Sequence, residues 1–310
     1  MNFRTCKYFL TVCELGTINA AARKLFISQQ SLSQHIRKLE AELGVQLFHR
    51  DNPLVLTQAG QCVKKAAQTV LQYTRRHPLT LYLVDNASPD GSGEKLRAAA
   101  ASGALAAGAG QQVVLHCRTE NGGFGTGHNM VLPELDSDFH FILNPDIQLT
   151  ADTLSDLADW MAQHPDVVMA RPSLVFPDGS PQQLPLRRCA LRPMIYRQLP
   201  CLKFWAKYND AYLMKDADLS KPTSIEFCTG SFSGVRTSAF RAVGGFDENY
   251  FMYVEDADLT QKMLTQGKAY LVPQYTAIHA WHRAAHRSLK PALWQTGNLM
   301  RYFKKWGFRW

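Results

Sequence analysis

The chain lacks the features that mark secreted and membrane-spanning proteins. Its seven cysteines are scattered and form no Cys-x-x-Cys pair or Cys/His metal spacing, a pattern typical of reduced cytosolic thiols. The opening residues MNFRTCKYFL lack the charged-then-apolar pattern of a signal peptide. No apolar run reaches about 18 residues, the length that a membrane-spanning helix needs. We therefore expect a cytoplasmic protein.

Other absences exclude non-globular classes. No internal repeat is visible, and a chain with 46% hydrophobic and 19% charged residues is neither disordered, nor collagen-like, nor a coiled coil. A length of 310 residues is enough for about two domains.

Acidic residues are scarce at both ends of the chain. Through residue 77 there are 11 Lys+Arg and 4 Asp+Glu, whereas the remainder has 23 and 22, and the last acidic residue is Asp258. A helical pattern over 57–73 breaks near 74–78, and the apolar run 79–84 follows. We therefore expect a small basic module with a polyanion partner, followed by a larger and nearly neutral module.

The basic module shows the pattern of a helix-turn-helix. Helical spacing continues through INAAARKLFI after Thr17 and through QQSLSQHIRKLEAELG after Ser28, and both preceding residues are good N-caps. The second of two such helices can enter a DNA major groove. A two-stranded wing is expected at 45–56. The candidate DNA contacts are Gln29, Gln30, Ser31, Ser33, Gln34, Arg37 and Arg50.

The segments GTINAAARKL, SQQSLSQHIRKLEAELGVQLFHR and LTQAG resemble the winged helix-turn-helix of LysR-type transcriptional regulators over residues 3–73. The resemblance implies a partner of double-stranded DNA. The helix at 57–73 resembles a shortened form of the family's dimerisation helix, which implies a homodimer. Nothing after residue 78 resembles the family's effector-binding domain. The alternative is a three-helix scaffold that does not contact DNA.

The second module alternates strands with helices. Apolar runs at 79–84, 113–117 and 138–144 and helical stretches at 94–101 and 151–163 predict an α/β layer with a largely parallel sheet. Polar loops follow the three runs, and ligands of such sheets bind at the carboxyl ends of the strands. Carboxylates brought together there can hold a divalent cation or serve as a general base.

The segments VDNASPDGS, ENGGFG, LNPDI, GSFSGVR, GGFDENYFMYVEDADL and YFKKWGF resemble, in order, inverting family 2 glycosyltransferases over residues 79–310. Bacterial rhamnosyltransferases are the nearest group. The resemblance implies an α/β fold class: a GT-A-like nucleotide-sugar domain at 79–310, incomplete at its N-terminus, preceded by a small winged helix-turn-helix domain at 1–75. It also implies transfer of rhamnose from dTDP-rhamnose to a lipid-linked or polysaccharide acceptor, with Mg²⁺ or Mn²⁺ as cofactor.

The same resemblance assigns four residues to the nucleotide-sugar. Asp85 matches the carboxylate that binds the nucleotide base, and Asn121 and Gly123 lie in the loop that closes over the nucleotide. Asn144 replaces the first acidic residue of the family's D-x-D element. The structural alternative for Asp85 is that it only stabilises the turn after its strand.

Four further residues match the reactive end of the site. The resemblance makes Asp146 and His279 metal ligands, Asp256 the general base and Glu255 its acceptor-orienting neighbour. Each has a structural alternative. Asp146 can cap a helix that begins near Thr150, the acidic pair can stabilise a helix N-terminus, and the histidine can be a satisfied core residue.

One family element is absent from the sequence. Members begin with a strand carrying a V-x-x-Y-N-like segment, and the DNA-binding module occupies that position here. Buried backbone groups left unpaired by its loss cost about 1–3 kcal/mol each. This leaves two alternatives to an active enzyme: a DNA-binding regulator with a catalytically inactive second domain, or a non-functional fusion.

The last 22 residues, 289–310, interleave aromatic and basic side chains without an acidic residue. Such a segment suits the headgroup region of an anionic bilayer, which predicts peripheral contact with the inner membrane. The alternative is that the aromatic side chains pack the end of the domain.

Overall fold

The computed structural model describes residues 11–12, 15, 17–35, 58–88, 93, 96–97, 105, 107–198, 201, 203–280 and 289–310. The wing predicted at 45–56 and most of the helix predicted at 94–101 lie outside them. The chain divides into two compact units: Met1–Leu71 with Pro78–Asn121, and Gln72–His77 with Gly122–Trp310.

In the first unit, Thr11, Val12 and Leu15 are helical, and the predicted pair of capped helices follows them. Helix α1 spans Ile18–Lys24, and Thr17 Oγ1 accepts a hydrogen bond from the Ala20 N–H at 3.2 Å. Ser28 Oγ accepts one from the Ser31 N–H at 3.1 Å, and residues 29–35 are helical. Helix α1 ends earlier than predicted, because Phe26 adopts a left-handed φ of 54° in the turn.

The first unit also contains helix α2 (Gln58–Tyr73) as far as Leu71, and a parallel pair of strands, β1 (Leu79–Asp85) and β2 (Gln111–Cys117). Ala67 and Leu71 of α2 pack with Leu105, and the apolar side chains Leu79, Leu81, Leu83 and Val113 surround them. The Gln111 side-chain amide donates to the Leu71 carbonyl at 2.9 Å. The two predicted strands are therefore confirmed.

The second unit contains six strands and seven α-helices among the described residues. The strands are β3 (Phe139–Leu143), β4 (Ile147–Gln148), β5 (Val167–Val175), β6 (Thr223–Ile225), β7 (Phe232–Arg236) and β8 (Lys268–His279). The helices are α3 (Phe124–Asn129), α4 (Thr153–Gln163), α5 (Leu191–Gln198), α6 (Ala206–Tyr212), α7 (Thr237–Ala242), α8 (Glu255–Leu264) and α9 (Leu289–Trp306).

The sheet of this unit is mixed, so the expectation of a largely parallel sheet was wrong. Its order is β3-β7-β5-β8-β4, with β6 also on β8, and only β5 and β8 run parallel. Strand β7 runs antiparallel to β3 because the long connection 176–231 returns the chain to the carboxyl end of β3. At that end the Asn144 N–H donates to the Ser231 carbonyl at 2.9 Å, immediately before β7 begins.

A cationic segment at the start of this unit is held on helix α4. The Arg76 guanidinium pairs with Asp152 and Asp156, and His77 Nε2 lies 2.7 Å from Asp159 Oδ1. Arg76 and His77 lie within the break in the helical pattern that the sequence shows near 74–78.

Within the described residues no strand takes the place of the missing first strand. Strand β1 pairs only with β2, and β3 pairs only with β7. The described strands therefore form two separate sheets, which the sequence did not predict. None of the described helices is both long and apolar enough to cross a bilayer.

Candidate active site

Two adjacent carboxyl groups begin helix α8, on a strained backbone. Tyr253 and Val254 precede Glu255 with left-handed φ angles of 68° and 72°. Such conformations cost about 1–3 kcal/mol each in residues other than glycine, and they cluster at functional sites. The strain therefore marks the turn that aims Glu255 and Asp256.

The environments of the two carboxyl groups differ. Asp256 accepts hydrogen bonds from the Gly230 N–H at 3.0 Å and the Ala257 N–H at 2.8 Å. Glu255 is 8% exposed, and its Oε2 has no hydrogen-bond partner among the described residues. Burial, together with the neighbouring Asp256 charge, raises the pKa of Glu255 to about 8.

Burial also raises the pKa of Asp256, and its two backbone donors oppose that shift. Since two such donors favour the charged form, the pair carries its first proton on Glu255. With Asp256 as the carboxylate and Glu255 as the carboxylic acid, the arrangement suits one group to accept a proton and the other to donate a hydrogen bond.

A cavity of about 250 Å³ opens beside the carboxyl pair. Its lining residues are Pro185, Cys189, Met194, Arg197, Tyr212, Phe227, Tyr253, Val254, Glu255, Asp256, Ala257 and Gln295. Polar and apolar groups contribute about equally to the walls, and the two carboxyl groups are among the polar ones.

The structure also brings together the two predicted metal ligands. Strand β4 pairs with the end of β8, and the Ala280 N–H donates to the Asp146 carbonyl at 3.2 Å. His279 Nε2 then lies 3.4 Å from Asp146 Oδ1. The other ring nitrogen, Nδ1, is 2.9 Å from Gln182 Oε1. No third His, Cys, Asp or Glu side chain joins them within the described part of the chain. Asp146 and His279 can thus supply two of the ligands of a cation, and other groups would have to complete the set.

Hydrogen bonds link the end of β3 to the carboxyl pair. The Asn144 N–H bonds the Ser231 carbonyl, and the neighbouring Gly230 N–H bonds Asp256. The turn containing Asn144 and Asp146 thus lies at the same edge of the sheet as Asp256.

Gly123 holds its loop against the segment that precedes the carboxyl pair. Its φ is 94°, and a Cβ there would lie 2.2 Å from the Phe251 carbonyl oxygen. The Phe124 N–H donates to that same oxygen at 3.1 Å. Only glycine fits this approach.

The remaining nucleotide-binding candidates lie in the first unit. Asp85 is buried at the end of β1, and a Cβ on Gly93 would lie 2.4 Å from its Oδ2. The Asn86 side-chain amide donates to Asn121 Oδ1 at 3.0 Å, so the loops after β1 and β2 are joined.

The sequence analysis missed some residues of the site, and the helix-capping role that it offered as an alternative for Asp146 belongs to another residue. The N-cap of α4 is Asp152, whose side chain accepts from the Ser155 N–H at 3.4 Å, so Asp146 does not cap that helix. Cys189 and Tyr212 line the cavity, and Gln182 contacts His279. No local pattern indicates these contacts, because the partners are far apart in the sequence.

Asp258 was missed as a structural anchor. Its side chain is fully buried and accepts hydrogen bonds from Lys305 Nζ at 2.9 Å and Trp306 Nε1 at 2.7 Å. Asp258 lies two residues after Asp256 in the same predicted helix, and side chains two positions apart on a helix do not face the same side, which could have indicated a different environment. Tyr302 and Phe303 are also buried, so these residues of the tail pack the domain. Aromatic and apolar side chains still exposed in the tail are Met300, Phe308 and Trp310.

The candidate DNA contacts lie on the helical segment 29–35 where they are described. Gln29, Gln30 and Gln34 are exposed, whereas Ser31 and Ser33 are half-buried. Leu32 is fully buried and turns the glutamine side chains outward. Arg37 and Arg50 lie outside the described residues.

Two family models match the chain. The bacterial regulatory helix-turn-helix protein, lysR family, matches residues 3–61, and glycosyl transferase family 2 matches residues 58–244. The N-acetylglucosaminyl-diphospho-decaprenol L-rhamnosyltransferase of Mycobacterium tuberculosis (strain CDC 1551 / Oshkosh) is 28% identical over 240 residues, which is 72% of each chain. The HTH-type transcriptional regulator ClcR of Pseudomonas putida is 45% identical over 75 residues, 24% of this chain and 26% of the regulator.

A solved structure agrees in fold. The mannosyltransferase PcManGT from Pyrobaculum calidifontis, in complex with GDP-Man and Mn²⁺, matches with a TM-score of 0.53 and 17% identity. The match covers 81% of this chain and 61% of the mannosyltransferase. The second module thus has the GT-A-like fold. The chain belongs to glycosyl transferase family 2, with a rhamnosyltransferase-like domain that follows a LysR-type helix-turn-helix.

Proposed function

We propose that the chain transfers rhamnose from dTDP-rhamnose to a lipid-linked saccharide acceptor, with inversion at the anomeric carbon. The observation that carries the proposal is the carboxyl pair Glu255–Asp256, aimed by a strained turn at a cavity of about 250 Å³. The choice of sugar and acceptor rests on the similarity to the rhamnosyltransferase of M. tuberculosis, whose name specifies a diphospho-decaprenol acceptor.

The chemistry follows from the two protonation states. Asp256, as the carboxylate, takes the proton of the acceptor hydroxyl, and the oxygen attacks the anomeric carbon in line with the departing nucleoside diphosphate. Glu255, as the protonated neighbour, donates a hydrogen bond that orients the acceptor. A base of this kind contributes about 10²–10⁴-fold to the rate.

Asp146 and His279 fit a divalent cation as two of its ligands. A carboxylate oxygen and an imidazole nitrogen face the same space at 3.4 Å, and the diphosphate and water can complete the set. Bound Mg²⁺ or Mn²⁺ would neutralise charge that develops on the leaving diphosphate. Mn²⁺ is also present in the PcManGT structure.

We assign the nucleotide-sugar to Asp85, Asn121, Gly123 and Asn144. The hydrogen bond between Asn86 and Asn121 supports a preformed loop pair, and the close approach of Gly123 to Phe251 supports a loop positioned near the carboxyl pair. Asp85 would bind the base, as its place at the end of β1 favours.

The exposed part of the tail supports a smaller membrane contact than the whole segment 289–310. Phe308 and Trp310 are exposed and lie close to each other, with ring centroids 5.1 Å apart. Lys304 is also exposed. We propose that this end of the chain touches an anionic bilayer near a lipid-linked acceptor.

The transfer proposal is tested with purified full-length protein, dTDP-rhamnose, Mg²⁺ or Mn²⁺ and a polyprenyl-diphosphate saccharide. We expect Asp256→Asn to lower kcat by about 10²–10⁴-fold with donor affinity by calorimetry unchanged. Asp178→Asn, which changes an exposed carboxylate, is the matched control and should behave as wild type. An equal loss of donor affinity and of kcat in Asp256→Asn would contradict the assignment of the base.

A second function is supported by the exposed glutamine side chains of the capped segment 29–35. We propose that this module binds duplex DNA through Gln29, Gln30 and Gln34, together with Ser31, Ser33, Arg37 and Arg50, and that it does so as a homodimer. Duplex binding by a protein that does not transfer rhamnose would favour the alternative of a DNA-binding regulator with an inactive second domain.

A further inference from the structure

An exposed aromatic segment lies between helices α5 and α6, and the proposed function assigns it no role. Residues 203–205 form a short 3₁₀ helix. Phe204 within it is 65% exposed, and Lys203 and Lys207 are exposed as well. The ring centroids of Phe204 and Trp205 lie 5.2 Å apart. The segment therefore presents an aromatic ring and two ammonium groups on its surface.

Arg192 joins this segment to the tail. Its guanidinium carbon lies 4.7 Å from the Tyr208 ring centroid and 5.5 Å from the Trp310 ring centroid, both within cation–π range. The Leu191 N–H donates to the Arg309 carbonyl at 3.0 Å, which fixes the tail at the start of α5. The resulting aromatic–basic surface comprises Arg192, residues 203–208 and residues 308–310.

The aromatic–basic surface is built from two stretches of sequence without acidic residues. Residues 179–209 contain six Lys and Arg and no Asp or Glu, and residues 289–310 contain no acidic residue either. Asp210, the first carboxylate after residue 209, lies 2.7 Å from Lys215 Nζ. Glu226 pairs with Arg309 at 3.4 Å. The charge of Lys203, Lys207 and Arg192 therefore complements a negatively charged partner.

Lysine side chains beside exposed aromatic rings favour a bilayer over a protein as that partner. Tryptophan and tyrosine rings are enriched at the headgroup level of membranes, and basic side chains there are attracted to anionic lipids. Lysine, in contrast, is depleted at the centres of protein–protein interfaces. Helices α5 and α6 also supply Met194, Arg197 and Tyr212 to the wall of the cavity beside the carboxyl pair. The aromatic–basic surface and the cavity therefore share the same two helices.

We propose that the aromatic–basic surface docks on an anionic bilayer, with Phe204 inserted below the headgroups and Lys203 and Lys207 among them. The proposal rests on the proposed membrane contact of the tail, which it extends to a second segment of the chain. Docking in this way brings the end of a lipid-linked acceptor to the two helices that line the cavity.

The test is flotation of full-length protein with vesicles made of equal parts phosphatidylcholine and phosphatidylglycerol. Phe204→Ser removes the exposed ring and should lower the partition coefficient by about 10-fold. Lys203→Gln combined with Lys207→Gln should lower it by about 30-fold, because each basic side chain near an anionic surface adds to the attraction. Unchanged partitioning of both variants would overturn the proposal.

Lys221→Gln combined with Lys268→Gln is the matched control. These lysines are exposed and pair with Asp218 and Asp166, outside the aromatic–basic surface. The control removes the same charge and should leave the partition coefficient nearly unchanged. If it loses as much binding as the variant at Lys203 and Lys207, total charge drives the binding and the proposal is overturned.

Melting temperatures of the variants show whether a loss of binding follows a loss of fold. Lys203 and Lys207 are exposed, so their replacement still tests the surface if Phe204→Ser proves unstable. Association of the protein without lipid, measured by sedimentation velocity and abolished by Phe204→Ser, would show that a second copy of the chain covers the surface. That result would also overturn the proposal.

Phe308→Ser combined with Trp310→Ser separates this proposal from the tail contact on which it rests. If only the tail variant loses binding, the tail contact stands and the role of residues 203–208 fails. If wild type does not float with the vesicles, both membrane contacts fail, whereas the transfer of rhamnose is judged separately by turnover.

Discussion

Replacement of Glu255 by glutamine should make the second unit more stable, and increasingly so as the pH rises. The folded protein holds the pKa of Glu255 at about 8, against a usual 4.5, because burial and the Asp256 charge disfavour ionisation. Between these two pH values the folded state keeps a proton that the unfolded state has released. Stability of the wild type therefore falls through this window as pH rises.

The size of the effect follows from proton linkage. One retained proton gives a slope of about 1.4 kcal/mol per pH unit, which integrates to roughly 3 kcal/mol between pH 5 and pH 8 because the slope flattens near each pKa. Glu255→Gln removes the titration and keeps a neutral side chain of similar shape. The variant should match the wild type near pH 5 and exceed it by roughly 3 kcal/mol at pH 8.

The assay is urea unfolding followed by tryptophan fluorescence at pH 5, 6, 7 and 8. All six tryptophans lie at residue 160 or beyond, so the signal reports the second unit. Titrating groups that do not interact with Glu255 are common to both proteins and cancel in the difference. Glu134→Gln, at an exposed glutamate, is the control and should give a difference that does not change with pH. A pH-independent difference for Glu255→Gln, or a variant less stable than wild type at pH 8, would refute the reasoning.

Three further predictions concern the DNA module, the tail and the Gly123 loop. The affinity for duplex DNA should fall by about 0.9 log unit per log unit of salt concentration for each phosphate contacted, as measured by gel-shift titrations at two salt concentrations. Gln34→Ala should weaken duplex binding in the same assay. Binding that does not depend on salt would contradict the prediction. Lys305→Met should cost about 3 kcal/mol in urea unfolding because it leaves the Asp258 charge buried without its cation, and adding Asp258→Asn should recover most of that loss. Gly123→Ala should lower the melting temperature measured by fluorescence, because a Cβ would clash with the Phe251 carbonyl; an unchanged melting temperature would contradict it.

The sequence predicted the early strands better than the late ones, for a physical reason. The runs at 79–84, 113–117 and 138–144 are apolar and end in polar loops. Strands β5 and β8 instead carry Pro172 and Pro273, which usually argue against a strand interior. The structure accommodates them at an irregularity, where Pro172 pairs with Val272 and Ser173 with Thr276.

The candidate site was predictable in composition but not in its contacts. Motif order identifies Glu255, Asp256, Asp146 and His279 as candidates, since each falls at the end of a predicted element or in a matching segment. The contact of Gln182 with His279 joins β8 to the segment after β5, and neither strand was predicted. Long-range contacts of this kind depend on strand pairing, which local sequence patterns do not encode.

The absence of the first strand affects the proposed nucleotide-binding residues more than the proposed base and cation ligands. The carboxyl pair, the proposed cation ligands and the cavity all lie within the second unit, whose sheet and helices are described around them. Asp85 and Asn121 depend instead on a sheet in which, among the described residues, β1 and β2 pair only with each other. A two-stranded sheet is marginal unless it packs against other elements, here helix α2. The nucleotide end therefore has less support than the base.

Kinetics should reflect this asymmetry if transfer occurs. Because the base and its strained turn do not depend on β1, kcat should remain sensitive to Asp256, whereas weak support of the nucleotide should appear as a high KM for the donor. The regulator alternative has a different signature: salt-dependent duplex binding with no turnover at any donor concentration. Donor titration to saturation therefore discriminates between them, because a weakly bound donor gives turnover at high concentration and an inactive domain gives none.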